Sequence, residues 1–181
     1  MKTRPKRLTR RLAIPVVVLI LLVIAYASAA PRVTVPVQAP LQDVSNAEAD
    51  PILAQLKTIG NLDEVYMEKD NQGRVIVYTT AFVDVDDPNP IQAAKSTAQK
   101  VITAIYRSGV PVANATILIT RNNHPLLGAS LGSDTLRKAS LSVLSQDSVD
   151  AFTSFLASTN HNDPQHLEQS TWLEIDPSAA Q

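Results

Sequence analysis

The chain has 181 residues, with 16 Lys/Arg, 17 Asp/Glu and no cysteine, which excludes disulfides, thiolate metal sites and lipid attachment through a thiol. The net charge of −1 conceals a division: residues 1–32 hold seven Lys/Arg and no acid, whereas residues 33–181 hold nine Lys/Arg and all seventeen Asp/Glu, giving +7 and −8. Phosphate backbones require a basic face, so the acidic balance of residues 33–181 argues against nucleic acid as a partner and against lying flat on anionic lipid.

In chain order, residues 1–11 form a basic segment carrying Lys2, Arg4, Lys6, Arg7, Arg10 and Arg11. Residues 12–31 contain no charge, and 17 of those 20 are apolar. As a helix this run would reach about 30 Å, the thickness of a bilayer core. We read it as a transmembrane helix or uncleaved signal anchor whose partner is the lipid bilayer. The basic flank places the N-terminus in the cytoplasm and the domain outside. The run exceeds the length of a usual signal h-region, which favours retention; the small residues Ala27-Ser28-Ala29 offer the alternative of cleavage near Ala29 and secretion. Residues 32–46 contain Pro36 and Pro40 and no helical period, as an extended spacer does.

Residues 47–158 are expected to fold as one extracytoplasmic α+β domain. A helix at about 50–59 would take Asp50 as its cap, Pro51 in its first turn and Gly60 at its end. Two strands at about 62–69 and 74–85, separated by Asp70-Asn71-Gln72-Gly73, read as a β-hairpin. A helix at about 90–108 has Asn89 as cap and Gln92 placed for a capping box. Ile91, Ala94, Ala98, Val101, Ile102 and Ile105 form its apolar stripe. A strand from Ala115 to Arg121, a turn at Asn122-Asn123-His124-Pro125 and a strand from Leu126 to Leu131 suggest a second hairpin. Residues 134–145 fit a strand or a helix, and a helix at about 147–157 would be capped by Asp147. The tail 159–181 is polar; Trp172-Leu173 is available to dock, and the last residues are expected to fray. The order α-β-β-α-β-β-α predicts a two-layer sandwich, a mostly antiparallel sheet with helices on one face.

Four constellations resemble chemistry. Gly128-Ala129-Ser130-Leu131-Gly132 fits G-x-S-x-G, the pattern that raises a nucleophilic serine on a strained strand-to-helix turn, and Asp147 or Asp150 and then His161 or His166 follow it. The strand before Ser130 is short and reads as half of a hairpin, and no βαβ succession is evident. The preferred reading is therefore a small-residue strand, with an exported serine hydrolase as the alternative. Asp84, Asp86 and Asp87 cluster before a helix, where carboxylates favour the helix dipole and could also hold a cation. His161, Asp163 and His166 could supply three metal ligands but lack a fourth. Asn114-Ala115-Thr116 is a glycosylation sequon by pattern. No cofactor is implied. With no convincing catalytic set, the expected role is a membrane-tethered binding or assembly module of the cell envelope that meets an envelope protein. Its contact face would be the sheet face bearing Ile76, Tyr78 and Phe82, with Tyr66 beside them.

Overall fold

The computed structural model of the protein describes residues 43–139, 143–144, 148–176 and 178. The basic segment 1–11, the expected anchor over 12–31, the spacer up to residue 42 and Asp147 lie outside the described residues. Among the described residues no helix is long and apolar enough to cross a membrane.

Helix α1 (Asn46–Leu56) begins a turn earlier than Asp50 would have begun it. The reason is a capping box: the Glu48 carboxylate accepts the Ser45 backbone N–H at 3.1 Å and also the Ser45 hydroxyl. Pro51 consequently lies inside the helix, and the left-handed residue after it is Asn61 (φ 64°) rather than Gly60. Strands β1 (Leu62–Lys69) and β2 (Val75–Phe82) then form the expected hairpin. Its turn is held by Asp70 Oδ1, which accepts the N–H groups of Gln72 at 2.9 Å and Arg74 at 2.8 Å, and by Gly73 at φ 76°.

Helix α2 (Pro90–Tyr106) runs as its periodicity demands, and Ala94, Ala98, Val101, Ile102 and Ile105 are fully buried. The capping box through Gln92 does not form, and the Asn89 side chain makes no cap hydrogen bond. Asp87 instead accepts the Asn89 N–H at 2.7 Å. Strands β3 (Val112–Arg121) and β4 (His124–Gly132) form the second hairpin. Asn122 and Asn123, both at positive φ (53° and 62°), make a two-residue turn whose twist matches that of the strands. His124 and Pro125, expected in the turn, belong to β4.

Helix α3 (Ser133–Ala139) resolves the start of the ambiguous stretch as helical. Helix α4 (Val149–Ser158) is capped by Ser148, whose hydroxyl accepts the Ala151 N–H at 3.3 Å. The polar segment from Thr159 docks through Trp172-Leu173. It crosses back toward the sheet and ends in a fifth strand, β5 (Trp172–Ile175), because Leu173 and Ile175 pack against the core.

The sheet order is β1-β2-β3-β4-β5. Three of its pairings are antiparallel, and β2 and β3 run parallel with α2 as the crossover between them. A βαβ unit is therefore present, unlike the sequence expectation; a 17-residue helix carries the chain back to the end of the sheet at which β2 began, where a tight turn would have reversed it. The fold is α+β with a mostly antiparallel sheet. One face carries Val75, Val77, Ala115, Ile117, Ile119, Leu127, Ala129 and Leu131 into a core shared with Ile52 and Leu56 of α1, the stripe of α2, and Phe152 and Leu156 of α4.

Candidate functional site

Strand alternation sends every second residue to the other face of the sheet, which none of α1, α2 and α4 covers. Register aligns one row across all five strands: Tyr66 opposite Tyr78, Tyr78 beside Thr116, Thr116 opposite Ser130, and Ser130 opposite Trp172. The two ends of this row differ in character.

At the β4–β5 end the segment 160–171 lies over the sheet. It is closed on itself by paired bonds, His161 N–H to the Thr171 carbonyl at 2.7 Å and the reverse at 2.8 Å. Gly132 makes its approach possible: a Cβ there would stand 2.3 Å from the Glu168 carbonyl oxygen. A Cβ on Gly128 would stand 2.7 Å from the Trp172 ring. Below the segment, Asn114 is fully buried and uses its whole amide. Its Nδ2 donates to the carbonyls of Leu167 at 2.7 Å and Ser170 at 3.1 Å, and its Oδ1 accepts from Thr116 at 2.7 Å and Ser130 at 3.0 Å.

This network places Ser130. The serine is 1% exposed, and its hydroxyl is engaged by Asn114 and by Thr116 at 3.1 Å. Among the described residues, Asn61, Asn122 and Asn123 are the non-glycines at positive φ, so Ser130 does not sit on a strained elbow, and β4 is antiparallel to both its neighbours. The later acids and histidines are not brought to it by hydrogen bonds. Asp150 pairs with Lys95 of α2 at 3.0 Å, His166 Nδ1 lies 3.1 Å from Asp163, and His161 is held through its backbone. The Asn114 sequon is likewise spoken for, since its Nδ2 is buried and donates twice.

Asp84 and Asp86 are exposed, and Asp87 caps the backbone at Asn89. Among the described residues no three His, Cys, Asp or Glu side chains converge as a metal would need, neither here nor at His161, Asp163 and His166. An open depression of about 630 Å³ lies on the helical side, with Thr58, Asn61, Lys100, Thr103 and Arg107 in its lining, and takes in none of the candidate site residues.

Over β1–β3 this face of the sheet carries exposed apolar residues. Tyr66 is 60% exposed, Phe82 43% and Leu118 40%. The Tyr66 and Tyr78 rings lie 6.1 Å apart at 33°, and the Tyr78 hydroxyl donates to Glu68 at 3.2 Å. Burial pushes the Glu68 carboxyl up, against the lowering effect of the Tyr78 and Tyr66 hydroxyls; the Glu68 charge in turn pushes the Tyr66 phenol up. Ile76, expected to line this face, does project to it but is only 3% exposed, packed in the row that joins Glu68 and Asn114. Leu118 takes its place in the surface, as alternation within ATILITR could have indicated. Trp172 joins the same face only because β5 exists.

The chain matches no family model, no curated protein and no solved structure in comparison with known proteins.

Proposed function

We propose that this chain is a non-catalytic binding or assembly module of the cell envelope, tethered outside the cytoplasm by its apolar N-terminal run, with the part of the sheet's second face that segment 160–171 leaves open, over β1–β3, as its docking surface. One observation carries the reading. Of the four large apolar residues exposed among the described residues, three (Tyr66, Phe82 and Leu118) project from one face of one sheet, and the fourth, Val85, follows β2. Scattered apolar residues need no explanation, but three exposed on the same face of one sheet, with Tyr78 beside Tyr66, favour contact with another molecule. The burial of Ser130 in a hydrogen-bond network supports the non-catalytic side of the reading. Tethering rests on the uncharged run over residues 12–31 and its basic flank.

Two measurements test it. A photo-crosslinking side chain at Leu118 in intact membranes is expected to capture a specific adduct, and one at Gln92, exposed on α2, is expected to capture none. Because the chain has no cysteine, a single Lys57→Cys variant reports topology. A membrane-impermeant maleimide is expected to label it on intact cells. Labelling only after permeabilisation would refute the extracytoplasmic placement, and equal crosslinking at both positions would refute the docking face.

A further inference from the structure

Every described strand residue on the open face, from Tyr66 on β1 to Glu174 on β5, is aromatic, apolar, a small or polar neutral residue, or acidic. Glu68 and Glu174 are acids, as are the exposed Asp63 and Glu64 at the β1 bulge opposite Thr80, and no Lys or Arg stands among these residues. The nearby cations are engaged elsewhere. Lys69 turns to the helical side and pairs with Glu48 at 2.8 Å, and Arg74 pairs with Asp70 at 2.7 Å and lies 3.7 Å from Glu168. Glu68 is half-buried and, among the described residues, has no cationic partner.

We infer that the open face takes a basic side chain of a partner protein, an arginine or lysine laid against the Tyr66 and Tyr78 rings with its charge on the Glu68 carboxylate. The inference rests on the docking reading above and adds the chemistry of the partner. Aromatic faces attract a cation through their quadrupole, and a carboxylate fixed by a tyrosine hydroxyl supplies a directed, charge-assisted acceptor. The −8 charge carried by residues 33–181 draws a basic segment toward the domain before contact is made. Leu118 and Phe82 then offer apolar surface to the residues that flank the cation.

The test uses the full-length chain in detergent micelles with ring-labelled tyrosine, of which the protein has four. The probes are acetyl-Gly-Arg-Gly-Arg-Gly-amide and the same peptide with citrulline for arginine, which keeps the shape and removes the charge. The arginine peptide is expected to shift the Tyr66 and Tyr78 ring signals saturably and to leave Tyr106 unmoved. Binding is expected to weaken by about tenfold or more with citrulline, in Glu68→Gln and in Tyr66→Leu, and to weaken with added salt. Glu68→Gln preserves size and a hydrogen-bond acceptor, so an unchanged spectrum in the free state shows that the fold is intact. Equal affinity for the citrulline peptide, indifference to Glu68→Gln, or shifts confined to other tyrosines would each overturn the inference. The Leu118 crosslink separates this failure from that of the docking reading. It persists if only the cation assignment is wrong, and it is absent if the face is not a docking surface.

Discussion

The Ser130 hydroxyl donates to Asn114 Oδ1 at 3.0 Å, and that bond turns a serine in a hydrolase-like motif into part of a structural bracket. The same amide holds the carbonyls of Leu167 and Ser170, so one buried asparagine joins β3, β4 and the returning C-terminal segment. Asn114→Ala is expected to cost about 2–3 kcal/mol, because it leaves two buried carbonyls without a donor and two hydroxyls without their acceptor. Urea unfolding checks the loss, and faster amide exchange at Asp134, whose N–H binds the Glu168 carbonyl at 2.8 Å, would show the segment lifting. Ser130→Ala is expected to cost only about 1 kcal/mol, and a fluorophosphonate probe is expected to leave the folded protein unlabelled.

Gly132 and Gly128 allow two different close approaches. A methyl at position 132 meets the Glu168 backbone, which can yield only by moving the whole segment, so Gly132→Ala is expected to destabilise by about 3 kcal/mol. A methyl at position 128 meets the ring of Trp172, the single tryptophan, which can tilt away. Gly128→Ala is expected to cost about 1 kcal/mol and to shift the tryptophan emission. Thermal unfolding with fluorescence detection distinguishes the two, and equal costs would contradict the assignment of backbone and side-chain obstacles.

The Tyr106 hydroxyl donates to the Leu131 carbonyl at 2.5 Å, and burial pushes its phenol far above the ordinary value of 10. A proton retained by the folded state is lost by the unfolded chain above about pH 10, so this contribution is complete below that pH and disappears as pH rises beyond it. Stability is expected to fall steeply between pH 10 and 12 in the wild type. Tyr106→Phe is expected to lower stability by about 1 kcal/mol at neutral pH and to flatten the alkaline slope. Circular dichroism across that range checks both effects; an unchanged slope would show that another group dominates.

Glu48 closes the capping box of α1 and pairs with Lys69 of β1 at 2.8 Å. The hydrogen bond from Lys69, followed by that from Ser45, lowers its carboxyl to about 2 from 4.5. A depressed carboxylate stabilises the fold above the unfolded value, and the contribution is lost as pH falls from about 4.5 toward 2. Glu48→Gln is expected to remove part of the acid sensitivity in that window and to increase amide exchange in the first turn of α1. An acid titration of stability with the same slope in both proteins would contradict the pairing.

The sequence alone determined seven of the nine described elements, all but α3 and β5. Apolar spacing in 90–106, β-branched runs around a Gly73 turn and two consecutive asparagines are local signals, and the structure places helix, hairpin and turn where those signals lie. It also determined the charge division and the apolar N-terminal run, which are properties of composition. Only the tertiary structure decided that β2 and β3 run parallel, because a helix between two strands leaves their relative direction to how it packs across the sheet. It alone turned a polar tail into the cover over Asn114 and Ser130, since that segment is held by bonds to residues more than fifty positions away rather than by its own pattern. For the same reason the open face is only partly visible in the chain. Tyr66, Tyr78 and Phe82 lie in neighbouring strands, but Leu118 and Trp172 reach that surface through long-range register, and burial removes Ile76 from it.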